Sequence, residues 1–362
     1  MRKVLSTVFL LIVAAGCAHS PYYVSRERRF TDTIWLGLSS YIVAGSEPAT
    51  DGKDLFLGTR RGTVVAFSTP NLRKLWEKDV LGSVETRPLA ESGVVYVGTS
   101  KGKIYALSAK TGVAIWQQDL NGEVLGQPAL YGGKLLLVGA NDGYLYALDA
   151  KNGAVIWRYR KDFPDRLTIH GFATPAVLDS RLYAAFSDGT VAALKAEDGS
   201  ELWNVRLASE ERFADVVSPV VASPSGSVLA AQFFGTLYGL NPGGGVRWSV
   251  PSGGSAAGAM ETEDRLFAPA AANRILALDP KTGDEKWKFE AKESANWTGL
   301  AFLNGRLIAG SSEGLLYVLD ASDGKFVWRY NLGAPIKGPP VVVGDSLFVV
   351  TEKGVLFRLA QR

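Results

Sequence analysis

The stretch IYALSAKTGVAIW at 104–116 decides the fold, because the chain keeps returning to it. It recurs as LYALDAKNGAVIW (145–157), VAALKAEDGSELW (191–203), ILALDPKTGDEKW (275–287) and LYVLDASDGKFVW (316–328), with VVAFSTPNLRKLW (64–76) and LYGLNPGGGVRW (237–248) as looser copies. The closing tryptophans, Trp76, Trp116, Trp157, Trp203, Trp248, Trp287 and Trp328, are spaced by 40, 41, 46, 45, 39 and 41 residues. A period in this range marks a solenoid or a propeller.

A second pattern precedes each copy, as in VVYVGTSKG (94–102), LLLVGANDG (135–143) and SLFVVTEKG (346–354), and it occurs eight times. The eighth copy runs on as LFRLAQR (356–362) and stops before any Trp. Trp35 lies 41 residues before Trp76, so FTDTIWL (30–36) supplies the missing strand from the other end of the chain. A break inside one unit requires the ends to meet, which is the closure of a ring rather than the capping of a solenoid. The expected fold is therefore all-β: an eight-bladed β-propeller of four-stranded antiparallel blades, closed by an N-terminal strand in the last blade. In the unit ending at Trp328 the four strands read 300–304, 306–311, 315–320 and 326–330. Gly beside Asp or Asn, as at Asn141–Asp142–Gly143 and Asp323–Gly324, marks the turns, where Gly supplies positive φ. One Trp per blade, four residues after a turn Gly, suits packing against the neighbouring blade better than a ligand cage.

The 362 residues are 47% hydrophobic, with 40 Gly and 9 Trp, a composition for many short strands joined by tight turns. Arg2 and Lys3 followed by VLSTVFLLIVAAGC (4–17) read as an export signal. Removing those two from the 39 basic residues leaves 37 against 36 acidic ones. A nucleic-acid partner calls for a basic surplus, so none is expected. AAGC (14–17) resembles the bacterial lipobox, in which the Cys sulfur takes a diacylglycerol and the chain is cut before it. Cys17 is the single cysteine, which fits a thiol consumed by lipidation; an ordinary signal with an incidental Cys is the alternative. The domains read as a signal over 1–16, a lipidated tether over 17–29 and a propeller over 30–362. Ala18, where Asp often retains lipoproteins in the inner membrane, favours the outer membrane with the propeller facing the periplasm.

The unit resembles the pyrroloquinoline-quinone-type, or tryptophan-docking, propeller repeat over about 30–362. Two groups carry it: quinoprotein dehydrogenases, and non-enzymatic propellers, chiefly the BamB family of outer-membrane assembly lipoproteins. Lipobox, length, eight repeats and the lack of an extra domain are similar to the second group. The resemblance to the first would imply two adjacent cysteines, a calcium site and an Asp base, and this chain has no second cysteine. No cofactor is expected, and no metal. His19 sits in the tether and His170 is the one His of the body, so neither a His triad nor a multi-His metal site can form. GGG at 243–245 is a turn, and 320–324 is a calcium-loop fragment whose twelfth position holds Asn331 instead of Glu.

The repeat is interrupted twice. Regular units place a Pro 12 residues after the Trp (Trp76/Pro88, Trp116/Pro128, Trp328/Pro340), but Trp157/Pro175 is 18 and Trp203/Pro219 is 16. The longer connections, 158–174 and 204–218, belong to consecutive units and mix charges with apolar residues; they read as a binding face, with length drift as the bland alternative. In the family that the chain resembles, the corresponding connections contact the barrel-forming, BamA-like subunit. One family motif, Leu-x-Leu-Arg-Gly, is matched by Leu167, Ile169, His170 and Gly171; the other, Arg-x-x-Asp-x-Asp, by Arg212 and Asp215. His170 stands where the motif has Arg and Val217 where it has its second Asp; the lost charge complement reads either as a re-tuned partner surface or as a different partner. Trp297, off the repeat register, reads equally as a partner anchor or as core. The function expected is a non-enzymatic scaffold for outer-membrane β-barrel assembly, holding a membrane-embedded partner and unfolded clients. Alternatives are a quinone-dependent dehydrogenase of reduced form and a periplasmic ligand- or polysaccharide-binding propeller.

Overall fold

A computed structural model describes residues 45–124, 126–160, 173–178, 180–186, 188–207, 220–223, 225–232, 235–252 and 258–360. Every regular element among them is a β-strand, and each sheet is an antiparallel meander in chain order. The first blade is Ala49–Thr50, Asp54–Gly58, Thr63–Ser68 and Lys74–Asp79, running from axis to rim. Six more four-stranded blades follow over 89–119, 129–160, 176–206, 221–251, 260–290 and 297–331. The eighth has three strands among the described residues, Val341–Val343, Ser346–Val350 and Leu356–Ala360. The chain is an eight-bladed β-propeller. The strand expected over 30–36 lies outside the described residues, as does Cys17.

Closure of the ring is visible without that strand. The buried side chains fall into eight clusters, one between each pair of neighbouring blades. The cluster that shuts the ring joins Leu55, Leu57, Val65, Phe67 and Leu72 of blade 1 to Val341, Phe348, Val350 and Leu356 of blade 8. Arg358 Nη1 also donates to the Pro70 carbonyl across this seam at 2.8 Å. The middle two strands of each blade are buried on both faces, so they read as apolar runs such as Leu136–Val138 rather than as alternation.

Tryptophan stitches the blades. Trp76, Trp116, Trp157, Trp203, Trp248 and Trp287 each donate Nε1–H to a carbonyl of the next blade: Ala109, Ala150, Ala196, Pro242, Pro280 and Ala321, at 2.8–3.2 Å. The ring lies on a turn glycine of that blade. At Gly153, with φ +78°, a Cβ would stand 2.6 Å from Trp116 Cε3. The glycine four residues before each Trp therefore serves the Trp of the preceding blade. Blade 1 departs from this: Leu72 takes the left-handed position, with φ 53°, and buries its side chain in the closing cluster. One residue before each Trp a bulge shifts the register, as between Ala106 and Leu107 opposite Ile115, and turns the Trp onto its neighbour.

Trp297 is core. It is 6% exposed on the inner strand Trp297–Leu303, edge-on to Tyr317 at 5.3 Å.

Candidate partner-binding face

The links between blades and the hairpins between second and third strands lie on one face of the ring. Their hydrogen bonds show it: Val80 N–H donates to Gly62 O, Leu120 N–H to Gly102 O, Leu207 N–H to Gly189 O and Leu332 N–H to Gly314 O. The links after blades 3 and 4 are the enlarged ones. Their middle parts, 161–172 and 208–219, lie outside the described residues, and with them Leu167, Ile169, His170, Arg212 and Asp215. The structure thus brings none of these five side chains together or apart.

What it describes is the ground on which both links stand. Ala173, Leu207 and Val220, which flank them, are buried in a single cluster with Tyr183, Val191 and Leu240. Val220 N–H donates to Thr174 O at 3.1 Å, so the two links re-enter the ring side by side. On the outgoing side, blade 3 ends in Arg158, Tyr159 and Arg160. The two guanidinium carbons sit 4.8 and 5.4 Å from the centre of the Tyr144 ring, a cation–π pair. The Tyr159 hydroxyl donates to the Glu201 carboxylate on the outer strand of blade 4. Burial and then that bond push the phenol well above its ordinary value, so it stays a donor and ties the end of blade 3 to the outer strand of blade 4.

A second polar group, not evident from the sequence, lines the inner end of this face. Glu47 and Arg87 occupy the same repeat position, each before the Pro that opens an inner strand. Burial raises the Glu47 carboxyl above its usual value, against the pull of Arg87 and Lys337. Burial lowers the Arg87 guanidinium, against the pull of Glu47. The Glu47 stem lies on Gly338 of the blade 7–8 link, where a Cβ would come within 2.2 Å of Glu47 Cγ. The trio therefore spans blades 8, 1 and 2. Aligning the x-Pro positions that precede the inner strands of blades 1, 2, 3, 4, 5 and 8 would have found it.

Among the described residues no three His, Cys, Asp or Glu side chains gather to hold a metal ion.

The family model for outer membrane protein assembly factor BamB matches residues 32–117, 60–235, 216–298 and 294–362. The chain belongs to the BamB family. Among its curated relatives are outer membrane protein assembly factors BamB of Legionella pneumophila (strain Paris), 26% identical over 202 residues, and of Yersinia pestis, 29% identical over 200. These alignments cover 54% and 53% of this chain and 52% and 50% of the relatives, so the matched segment spans about half the length of each. The crystal structure of BamB from Moraxella catarrhalis superimposes with a TM-score of 0.80 at 21% identity, over 92% of this chain and 100% of that one. Quinohemoprotein alcohol dehydrogenase from Comamonas testosteroni also superimposes, with a TM-score of 0.69 at 15% identity, over 88% of this chain and 74% of that one. At these identities the structures speak for the fold alone, which both branches share.

Proposed function

We propose that this chain is a non-enzymatic, lipid-anchored scaffold that helps β-barrel proteins assemble in the outer membrane. It works by contact: the links 158–174 and 204–218 hold the barrel-forming, BamA-like subunit, and the propeller offers further surface to unfolded clients. Cys17 carries the lipid, and the propeller faces the periplasm. The observation that carries the reading is the pairing of family membership with two adjacent, enlarged links whose bases are fixed in one core cluster. Rigid bases under elongated links are how a scaffold presents a binding surface. Leu167 and Ile169 supply apolar contact, and Arg212 and Asp215 supply charge. His170 in place of Arg removes a bidentate donor, so the partner surface opposite it needs no carboxylate there.

The test is co-purification from detergent-solubilised membranes. Changing Leu167→Asp and Asp215→Arg together is expected to abolish recovery of the barrel subunit while the propeller stays folded. Undiminished recovery overturns the assigned surface. Lipidation is read separately: Cys17→Ser is expected to move the chain from the membrane to the soluble periplasmic fraction.

A further inference from the structure

The repeat supplies its own control for every surface position, and at one place the chain departs from what the ring needs. The residue after each link's first hydrogen-bonded residue is Leu81 after blade 1, Asn121 after blade 2, Lys292 after blade 6 and Gly333 after blade 7. The fold is thus satisfied by polar or small residues here, yet Leu81 is 58% exposed, and it is the one large apolar side chain so exposed in a blade-to-blade link among the described residues. The two hairpin tips that flank it are basic, and the exposed acids nearby, Asp79 and Glu85, each accept from a hydroxyl, of Thr63 and Ser83. The hairpin tip of blade 1 carries exposed Arg60 and Arg61, and that of blade 2 carries exposed Lys101. The matching tips of blades 3, 4 and 7 carry Asp142, Asp188 and Glu313.

These pieces form one continuous, rigid surface. A Cβ at Gly62 would stand 2.6 Å from the Gly82 carbonyl oxygen, and one at Gly82 would stand 2.8 Å from Lys101 Cγ. Leu81 N–H donates to the Tyr105 hydroxyl at 3.1 Å. Ser83 and Ser100 bond through their hydroxyls at 2.8 Å, and Ser100 N–H donates to Ser83 O at 3.0 Å. The one acid of this link near the patch, Glu85, accepts from Ser83. Arg60 and Lys101 have no carboxylate partner among the described residues.

We infer that Leu81, Arg60 and Lys101 form a second docking surface, for an acidic protein segment that places an apolar side chain against Leu81. An apolar centre flanked by two cations without carboxylate partners selects carboxylates beside one hydrophobic contact, and a preformed surface spends little entropy on binding. A protein segment fits better than a lipid surface, because the patch lies on the same face as the enlarged links and offers one leucine rather than an insertable apolar tract. The inference rests on the scaffold reading above and adds a contact two to three blades from those links.

The experiment uses the full chain with its signal and lipid removed, and the purified periplasmic region of the barrel-forming subunit from the same genome, immobilised. Arg60→Glu with Lys101→Glu is expected to weaken binding at least tenfold at low salt, with a smaller effect at high salt, since exposed charges are screened. Leu81→Ser alone is expected to weaken it severalfold. The charge-matched pair Lys110→Glu with Lys151→Glu, in turns of the opposite face, is expected to leave it unchanged. Equal binding by the Arg60/Lys101 variant overturns the inference and leaves the scaffold reading standing. So does an equal loss in the Lys110/Lys151 pair, which would reveal a net-charge effect, or a loss confined to phosphatidylglycerol vesicles, which would make the occupant a lipid. If the unaltered chain is not retained at all, the scaffold reading falls and this inference with it.

Discussion

Gly153 lacks a side chain because the Trp116 ring occupies the space. Two costs attend Gly153→Ala: left-handed backbone at φ +78°, worth about 1–2 kcal/mol, and overpacking against the ring, worth roughly 1–3 kcal/mol. Gly93 at φ +80° has nothing within 4 Å of its missing Cβ, so Gly93→Ala meets the first cost alone. Thermal unfolding is expected to fall about twice as far for Gly153→Ala as for Gly93→Ala; equal shifts would deny the docking of ring on glycine. The Gly–x–x–x–Trp signature was legible in the sequence, but its meaning was not, because the ring and the glycine that touch come from different copies. Glu47 gives a second prediction at this scale. Its folded-state pKa is raised above the ordinary 4.5, so the folded chain holds a proton that the unfolded one releases. Stability from this group is present below pH 4.5 and is lost as pH rises through the raised value. Relative to Glu47→Gln, which cannot titrate, the unaltered chain is expected to gain stability as pH falls toward 4.5. A difference between the two that is constant with pH would remove the buried carboxyl from the account.

Among the elements, strands and bulged outer edges follow from the repeat, and the four strands expected before Trp328 appear within three residues as Trp297–Leu303, Arg306–Ser311, Leu315–Asp320 and Phe326–Asn331. The links are different in kind. Counting from Trp to Pro shows that two are long, but a link has no hydrophobic period, so its length can be read and its side-chain placement cannot. Leu81 was missed for a related reason: it breaks no spacing, and stands out only once backbone hydrogen bonds align it with Asn121, Lys292 and Gly333. Deleting 164–169 restores the regular 12-residue spacing between Trp157 and Pro175. Arg160 and Ala173 remain on their own hydrogen bonds and core contacts, and loop-length effects of this size amount to about 0.6 kcal/mol or less. Thermal unfolding is therefore expected to stay nearly unchanged while co-purification of the barrel subunit is lost. A large fall in stability would make the link structural, and intact co-purification would move the binding surface elsewhere.

At the scale of the whole molecule the ring is a chain of eight interfaces, and one of them brings the two ends of the chain together. Seven interfaces join blades that are covalently consecutive; the eighth joins blade 8 to blade 1 through the cluster around Phe67 and Phe348 and the Arg358–Pro70 bond. In a quasi-repeating fold each unit is stabilised mainly by its neighbours, so loss at one seam spreads around the ring. Among the described residues Leu356–Ala360 is the outermost strand of blade 8, while every other blade has a fourth strand bearing its Trp. An outer edge left unpaired presents open backbone donors and acceptors and invites pairing between molecules. If the strand over 30–36 completes blade 8, a chain beginning at residue 44 will unfold at a clearly lower temperature than one beginning at residue 18, and it will associate as its concentration rises. Thermal unfolding and light scattering on the two forms check this. Equal melting and equal monomeric mass would mean that the ring closes on three strands in its last blade, with Leu72 and Arg358 sufficient to hold the seam.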